Sequence, residues 1–210
     1  MTNLIGVYGV GGCGRGIMPL ARVMPGAEGA RFVFIDDSSP AQEVNGHAVI
    51  TFDEFLADCA RDKAAVLAIA NGKVRAQLAS NCEASDVKLM AVRASTVIEM
   101  DNVEIGEGSL VSPYVTFTSN IRVGRCFHAN LYSCIEHDAR IGDFVTFAPG
   151  VRCNGNVSIG DYVYVGSGAL IRQGVTIGAG AVIGMGAVVT KDVEAGVTVV
   201  GNPARPLVKD

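Results

Sequence analysis

Residues 97–192 read as sixteen consecutive six-residue units without an insertion, among them VEIGEG (Val103–Gly108), ARIGDF (Ala139–Phe144) and AVIGMG (Ala181–Gly186). The third position is apolar in fifteen of the sixteen units, with Glu99 as the exception. The first position is apolar in fourteen units and serine in the other two, and the fourth is glycine in seven. A short period kept over so long a stretch is typical of a repeat fold.

The alternation within each unit predicts how the repeat folds. Apolar first and third positions around a mixed or polar second position, such as Arg122 or Arg140, are typical of a short strand with one buried face. Gly, Asp, Asn and Ser at positions four to six suit a turn. Three units would form a triangular coil, and coils stacked about 4.8 Å apart would build a prism roughly 25 Å tall. The alternative, a sandwich of short strands, has strands recurring every ~8–12 residues, so the pattern favours a parallel β-helix.

Composition and charge narrow the classes of function. The chain has 210 residues and a formal net charge of −4, with acids and bases intermixed, so no basic stripe indicates nucleic-acid binding. The start of the chain has no signal-peptide pattern and no apolar run is long enough for a membrane span, which predicts a cytoplasmic protein. The six cysteines form no CxxC pair, so free thiols and no metal site are expected.

The residues before the repeat have a different pattern, in which apolar strand segments alternate with helical segments. This alternation predicts a small, Rossmann-like parallel α/β sheet. The chain therefore divides into an α/β domain over residues 1–94 and a β-helix domain over residues 95–210. The predicted strands are 3–8, 31–35, 64–69 and 87–92, and the predicted helices are 15–23, 52–62 and one that begins at 73.

Three glycines after the first predicted strand, Gly9, Gly11 and Gly14, fit the pattern G-x-G-x-x-G. Glycine lets the backbone approach a phosphate, and the N-terminus of the next helix offers free N–H groups and a positive dipole. Asp36 follows Gly14 by twenty-two residues, where an acid meets the ribose in a dinucleotide fold, so NAD is one candidate ligand. The domain offers no separate hydride site, and we interpret the glycines as a phosphate cradle; a purely structural tight turn is the alternative.

Five short segments carry a resemblance to a known family: Gly9-Val-Gly-Gly12, Phe34-Ile-Asp-Asp37, Ser133–Asp138, Cys153–Val157 and Val200–Arg205. In them the chain resembles the hexapeptide-repeat sugar acetyltransferases, and in particular the N-acetyltransferases of nucleotide-linked 4-amino sugars of the bacillosamine, perosamine and viosamine type. The resemblance covers nearly the whole chain. It implies a left-handed β-helix, acetyl-CoA as co-substrate, and a homotrimer that binds acyl-CoA between neighbouring prisms.

The resemblance also assigns roles in the N-terminal domain, which in this family holds the nucleotide of a nucleotide-linked sugar. It places Gly9, Gly11 and Gly12 beside the pyrophosphate, and Asp36 and Asp37 near the base and the ribose. The acidic residues then recognise a nucleobase and do not require NAD. The choice between UDP, dTDP and GDP stays open.

His137 is the predicted general base. It occupies the fifth position of its unit, in a corner where a side chain leaves the prism. A neutral imidazole has a pKa suited to removing a proton from an amine near pH 7, and the adjacent Asp138 would hold the second ring nitrogen. By resemblance, the two residues match the family's base and its acidic partner. The alternative is a solvated loop histidine.

Gly155 lies eighteen residues after His137, one coil further along the same corner. Its backbone N–H, unshielded by a side chain, would donate to the thioester oxygen as charge develops there, a role that the resemblance supports. Ser167 and Met185 are a second pair eighteen residues apart, on a different corner. The resemblance matches them to positions whose main chain holds the pantetheine arm of the co-substrate.

The chain departs from the family at one position. Several relatives carry a second histidine nine residues after the first, where this chain has Thr146. A hydroxyl donates a hydrogen bond but cannot share a proton at neutral pH. His128, one coil before Thr146, is expected to be a surface histidine, with partial replacement of the missing ring as the alternative. His47 is expected to lie in a loop.

Together these features favour acetyl transfer from acetyl-CoA to the amine of a nucleotide-linked 4-amino-4,6-dideoxy sugar, by direct attack without an acyl-enzyme. O-acetylation of a sugar hydroxyl, as on a sialic acid, is the alternative within the enzymes. The alternative of another class is a non-catalytic scaffold that binds NAD or a nucleotide sugar and uses the prism only to trimerise.

Overall fold

A six-stranded sheet and three helices form the N-terminal part of residues 3–207, the range that the computed structural model describes. The strand order is β3-β4-β2-β1-β5-β6, and all neighbouring strands are parallel except the β3–β4 pair. The strands are β1 (Leu4–Tyr8), β2 (Arg31–Ile35), β3 (Glu43–Val44), β4 (His47–Ile50), β5 (Lys63–Leu67) and β6 (Lys88–Leu89). The helices are α1 (Gly12–Ala21), α2 (Phe52–Ala57) and α3 (Gly72–Ala84).

The predicted α/β sheet is confirmed, but a hairpin was missed. β3 and β4 occupy a segment for which no helix or strand was predicted, and His47 is the first residue of β4. The turn between the strands is Asn45-Gly46, with φ of 50° and 76°. Asn-Gly with positive φ at both residues is the preferred two-residue hairpin turn, because its twist matches that of the strands. The expectation that His47 lies in a loop is therefore wrong.

The predicted strand 87–92 is two short strands in different sheets. β6 pairs with β5 in the N-terminal sheet, whereas β7 (Val92–Arg93) pairs with β10 (Leu110–Val111) of the prism. The chain therefore enters the prism just before the predicted boundary at residue 94. Residues 1, 2 and 208–210, at the outer ends of the two predicted domains, lie outside the described range.

Helices α2 and α3 begin at side-chain caps. Thr51 and Glu54 form a capping box, in which each side chain accepts the backbone N–H of the other. The helix ends at Ala57, short of the predicted residue 62, because Asp58 is extended. Asn71 caps α3 by accepting the N–H of the second and third helical residues. Within residues 3–207, no helix is both long and apolar enough to cross a bilayer.

The rest of the chain forms a left-handed parallel β-helix with three faces, and strands eighteen residues apart pair in register. Face 1 contains β7, β10, β13 (His128–Ala129), β16 (Thr146–Phe147), β19 (Tyr164–Val165), β22 (Val182–Ile183), β24 (Thr198–Val200) and the antiparallel β25 (Arg205–Pro206). Face 2 contains β8 (Ile98–Glu99), β11 (Thr116–Phe117), β14 (Cys134–Ile135), β17 (Arg152–Cys153), β20 (Leu170–Ile171) and β23 (Val188–Val189). Face 3 contains β9 (Val103–Ile105), β12 (Ile121–Val123), β15 (Arg140–Ile141), β18 (Ser158–Ile159) and β21 (Thr176–Ile177). The predicted fold class is confirmed.

The first and third positions of the units form the core of the prism, as the alternation predicts. From Val111 to Val189 every third-position side chain is buried. The two first-position serines are also buried, and their hydroxyls are paired. Ser109 donates to the Gly106 carbonyl at 2.7 Å, and Ser133 donates to the Ala148 carbonyl at 3.2 Å. The two serine exceptions therefore satisfy their hydrogen bonds inside the prism.

The sixth position of each unit makes the corner. From Asn102 through Gly186, every sixth residue has a left-handed φ between 50° and 76°. Glycine adopts this conformation freely and asparagine and aspartate tolerate it, whereas other side chains are strained there. The frame thus fixes which residues stand above one another along each corner.

The N-terminal domain packs on face 1 and on the corner between faces 3 and 1, and Arg75 of α3 holds the contact together. Its side chain is fully buried. The guanidinium donates to the carbonyls of Cys126 and Val145 in the prism and of Ile69 and Ala70 after β5, at 2.6–3.2 Å. Burial lowers its pKa to about 10, which leaves it charged at neutral pH.

His128 and Thr146 lie in neighbouring strands of face 1, under the N-terminal domain. The His128 ring is buried, and its Nε2–H donates to the Leu67 carbonyl at 2.8 Å, while the Thr146 hydroxyl donates to the Ala70 carbonyl at 2.8 Å. The expectation of a surface histidine is therefore wrong. Burial, aided by the charge of Arg75, holds the pKa of His128 well below its ordinary value. Both side chains anchor one domain to the other.

The buried His128 is expected to make stability depend on pH. Because its folded-state pKa is depressed, the unfolded chain binds the extra proton below about pH 6.5, and folding loses up to about 1.4 kcal/mol per pH unit as the pH falls further. His128→Gln keeps a donor but cannot be protonated, so this loss should be smaller in the variant. Denaturant unfolding at pH 7, 6 and 5 measures the effect, and parallel pH curves for parent and variant would contradict it.

Candidate active site

His137 and Asp138 lie in the corner between faces 2 and 3, directly after β14. Asp138 is the sixth residue of its unit and has a left-handed φ of 61°. The backbone on either side is held by neighbouring coils, since the Asp138 N–H donates to the Ser119 carbonyl and the His137 carbonyl accepts from the Asn156 N–H. The His137 and Asp138 side chains are about half exposed in the single chain. The corner thus presents both side chains outside the prism.

The two side chains form a hydrogen-bonded pair. The distance from His137 Nδ1 to Asp138 Oδ2 is 2.8 Å. A carboxylate only accepts hydrogen bonds, so Nδ1 is the nitrogen that carries the proton when the ring is neutral, and in that form Nε2 has its lone pair available. The hydrogen bond from His137, with a second from Asn120, holds the pKa of Asp138 below its ordinary value. The pair has the arrangement that a general base with an orienting carboxylate requires.

Gly155 lies against the ring of His137, one coil further along the corner. A Cβ atom at this position would stand 2.5 Å from Cε1 and 2.6 Å from Nε2 of the imidazole. The ring therefore occupies the space that any larger residue would fill. Within residues 3–207, the Gly155 N–H has no hydrogen-bond acceptor. The structure thus brings together the predicted base, its acid and the predicted backbone donor.

Gly155→Ala is expected to lower kcat by about 10²-fold, because the added methyl group displaces the imidazole from its position. The fold should persist, since Gln173 occupies the same position of the next coil with a full side chain. Thiol release from acetyl-CoA at saturating substrates measures the loss, with Lys191→Ala on the same corner as the control. An unchanged kcat in a folded Gly155→Ala protein would show that the ring position does not matter.

Ser167 and Met185 occupy the corner between faces 1 and 2, in successive coils. The Gly186 N–H donates to the Ser167 carbonyl at 2.9 Å, and the Met185 side chain is 81% exposed. The glycine before Ser167 is also needed, because a Cβ on Gly166 would stand 2.6 Å from the Met185 nitrogen. The structure therefore places this pair together, on a corner different from that of His137.

The glycine loop joins β1 to α1. A Cβ on Gly14 would stand 1.8 Å from the carbonyl oxygen of Gly9, so glycine permits the close approach of helix and strand. Gly11 and Gly12, in contrast, have open space where a side chain would be. Gly11 is the N-cap of α1, and no side chain of residues 3–207 caps the helix by accepting its first N–H groups. The first N–H groups of the helix therefore face an open approach.

The two predicted acidic residues follow β2 and face different partners. Asp36 accepts hydrogen bonds from the Val10 N–H at 3.3 Å and from the Ser38 hydroxyl at 2.8 Å, which ties it to the glycine loop. Partial burial opposes its ionisation, but these hydrogen bonds outweigh burial and leave the pKa of Asp36 lowered. Asp37 accepts the Phe52 N–H at 2.8 Å, at the start of α2. Asp36 is thus part of the glycine-loop site, whereas Asp37 also fixes a helix.

A cavity of about 420 Å³ lies where the N-terminal domain meets face 1, and sequence reasoning missed it. The start of α3 forms one wall and aromatic residues of the prism form the other. The available signal was Ala70-Asn71-Gly72 at the end of the third predicted strand, since ligands bind at the carboxyl ends of parallel strands. The lining includes Asn71, Gly72, Lys73, Thr146, Tyr162 and Tyr164.

One chain does not bring the glycine loop to His137. The N-terminal domain contacts face 1 through His128 and Thr146, and the corner between faces 3 and 1 through Cys126. His137 lies on the corner between faces 2 and 3, which is opposite face 1 in a triangular prism. Residues 3–207 contain no cluster of three His, Cys, Asp or Glu side chains that would hold a metal ion.

The chain is similar to several known proteins. The family model described as bacterial transferase hexapeptide (six repeats) matches residues 156–191. A curated relative, GDP-perosamine N-acetyltransferase of Escherichia coli O157:H7, is 45% identical over 158 residues, which are 74% of this chain and 72% of that protein. The chain belongs to the hexapeptide-repeat sugar acetyltransferases. The predicted family is therefore confirmed.

Three solved structures match over nearly the whole chain. WeeI from Acinetobacter baumannii AYE is 49% identical with a TM-score of 0.93, covering 98% of this chain and 100% of that one. The acetyltransferase domain of PglB from Neisseria gonorrhoeae FA1090, in complex with acetyl coenzyme A, is 30% identical with a TM-score of 0.80, covering 99% and 100%. PerB from Caulobacter crescentus, in complex with CoA and GDP-perosamine, is 25% identical with a TM-score of 0.87, covering 97% of both chains.

Proposed function

We propose that this enzyme transfers the acetyl group of acetyl-CoA to the amine of a nucleotide-linked 4-amino-4,6-dideoxy sugar. The observation that carries the proposal is the His137–Asp138 pair seated over Gly155. The curated relative, named for GDP-perosamine, supports an amine acceptor and makes GDP the first nucleotide to test. In this proposal, the domain of residues 1–94 binds the nucleotide sugar, and the domain of residues 95–210 contains the residues that catalyse acetyl transfer.

His137 acts as the general base in the proposed reaction. Its Nε2 removes a proton from the attacking amine as the N–C bond forms and the C–S bond of the thioester breaks, and the same proton returns to the departing thiolate. Asp138 stabilises the imidazolium between these two events. The Gly155 N–H donates to the thioester oxygen as charge develops on it, and Ser167 and Met185 supply main-chain contacts to the pantetheine arm.

The nucleotide sugar binds at the carboxyl ends of the N-terminal strands in this proposal. Gly11 and Gly12 receive the pyrophosphate at the open N-terminus of α1, and Gly9 allows the turn with its φ of 90°. Asp36 and Asp37 stand beside this loop to recognise the base and the ribose. The carboxylate of Asp36 already holds the loop through Val10, so the acceptor site is organised before the ligand binds.

The complete site requires a second copy of the chain, and we propose a homotrimer. His137 lies on the corner away from its own N-terminal domain, so the acceptor and co-substrate meet between neighbouring prisms. Face 2, beside this corner, exposes the apolar side chains of Ile98 and Leu170 at 54% and 42%. Exposed apolar residues on an otherwise packed prism favour burial against another copy.

We place the reaction in the cytoplasm. All six cysteines are free thiols within residues 3–207. Several are buried, and burial raises the pKa of Cys82 and of Cys153 to about 12, so both are protonated and unreactive at neutral pH. Free thiols are the ordinary state of cysteine in a reducing compartment.

The test is thiol release from acetyl-CoA with two classes of acceptor, 4-amino sugars and 4-hydroxy sugars. GDP-, UDP- and dTDP-linked 4-amino sugars are compared with the matching 4-hydroxy sugars, and thermal shift with each nucleotide and with NAD measures binding to the N-terminal domain. Release with an amino sugar alone supports the proposal. Release with hydroxyl acceptors would indicate an O-acetyltransferase. No release with any acceptor, together with stabilisation by NAD, would indicate a binding scaffold and overturn it.

A further inference from the structure

A column of polar residues runs along the corner that carries His137. Asn102, Asn120 and Asp138 occupy the sixth position of successive coils, with φ between 56° and 61°. On the other two corners the described sixth positions are Gly, Tyr, Phe or Cys. Asparagine and aspartate suit the left-handed conformation, but so does glycine, which stands at Gly174 on this same corner. The turn itself therefore does not require an amide at residue 120.

The amides form a hydrogen-bonded chain that ends on the base. The Asn102 Nδ2 donates to the Asn120 Oδ1 at 3.0 Å, and the Asn120 Nδ2 donates to the Asp138 Oδ1 at 3.3 Å. The other oxygen of the carboxylate, Oδ2, accepts from His137 Nδ1. Because a carboxylate only accepts, Asn120 must turn its NH₂ group toward Asp138, and its carbonyl then faces the Asn102 amide. The direction of each hydrogen bond from Asn102 through Asn120 and Asp138 to His137 is therefore fixed.

We propose that Asn120 is a positioning residue for the His137–Asp138 pair, with Asn102 fixing its orientation. The inference rests on the proposed function, in which His137 is the base. Both oxygens of Asp138 have a donor, so the carboxylate cannot rotate without losing a hydrogen bond. A fixed carboxylate holds the imidazole in one tautomer and one plane, with Nε2 aimed at the amine. Half-exposed side chains need such restraint more than buried ones, since packing does not supply it.

Asn120→Gly removes the amide while glycine keeps the left-handed turn without strain. We expect kcat for amino-sugar acetylation to fall about tenfold, with KM for both substrates and the melting temperature unchanged. Asn120→Asp, which is isosteric, replaces the donor with a second carboxylate beside Asp138 and should lower kcat at least as much. Asn45→Gly, the same change at the left-handed turn of the β3–β4 hairpin, is the matched control and should leave kcat at the parent value.

A double-mutant cycle separates positioning from a structural role. If Asn120 acts through Asp138, then Asn120→Gly should change kcat by less than twofold in an Asp138→Ala background. A tenfold loss in that background, or a kcat within twofold of the parent for the single variant, would overturn the inference. His137→Ala separates the failure of the proposed function from the failure of this inference. If the His137→Ala protein is active, His137 is not the base and both proposals fail. If it is inactive while the Asn120→Gly protein is fully active, only the positioning role of Asn120 is refuted.

Discussion

His137→Ala is expected to lower kcat for thiol release by roughly 10²–10⁴. Within residues 3–207, the three atoms that would lie nearest to a Cβ on Gly155 all belong to the His137 imidazole, and Nδ1 of this ring is hydrogen-bonded to Asp138, so that Nε2 is the nitrogen left to accept a proton from the amine. KM for acetyl-CoA should change little, because the co-substrate is held by main-chain groups in the proposed site. The melting temperature should stay near that of the parent, since the side chain is half exposed.

His47→Ala is the matched control for this change. His47 lies at the start of β4, packed edge-on against Phe34, and takes no part in the proposed site. Its removal should leave kcat within twofold of the parent. Near-normal turnover by a folded His137→Ala protein would exclude His137 as the base and with it the proposed mechanism.

Arg75→Met is expected to destabilise the fold by about 3 kcal/mol. Of the donors in residues 3–207, only Arg75 reaches the carbonyls of Cys126 and Ile69, and methionine would leave both buried and unpaired. Arg75→Lys should recover only part of the loss in stability. The planar guanidinium donates to carbonyls on opposite sides of the group, whereas a single ammonium cannot reach all of them. Because the guanidinium joins the two domains, the loss should also weaken their contact.

Denaturant unfolding at a fixed protein concentration measures this loss, with Arg61→Met as the control. Arg61 is 76% exposed and its ion pair with Asp62 is 3.8 Å long, so its replacement should stay within about 0.5 kcal/mol. Limited proteolysis tests the contact between the domains directly, and the Arg75→Met protein should be cleaved there faster than the parent. Equal stability of the parent and the Arg75→Met protein would show that the buried carbonyls find other partners.

The sequence predicts the prism well because the six-residue frame can be assigned from the alternation of apolar and polar residues alone. The same frame predicts that His137 and Gly155 stand one coil apart on one corner, and the ring of His137 does occupy the place of a Gly155 side chain. The frame fails at His128. No second position of faces 2 and 3 is buried, whereas on face 1 the second positions Leu110, His128 and Thr146 are buried, because the N-terminal domain covers that part of the face. No periodicity within the repeat distinguishes one face from another.

The N-terminal domain was predicted less completely: the start of α1, the hairpin and the role of Arg75 were missed. Helix α1 begins at Gly12, inside the glycine loop, where helix propensity is low and tertiary contact decides. Asn45-Gly46 is a recognised hairpin signal that was available in the sequence. Arg75 could not have been identified, since an arginine on a helix is ordinarily solvated, and only the prism carbonyls explain its burial.

The exact pairing of strands eighteen residues apart limits how the length of this protein can change. Inserting one residue within a strand would turn the buried side chains that follow it in that strand toward solvent, because adjacent strand residues point to opposite faces. Removing a complete coil would instead leave each remaining corner in place. The stacked strands of such a prism can therefore be added or lost only as whole coils, and smaller insertions are confined to the corners.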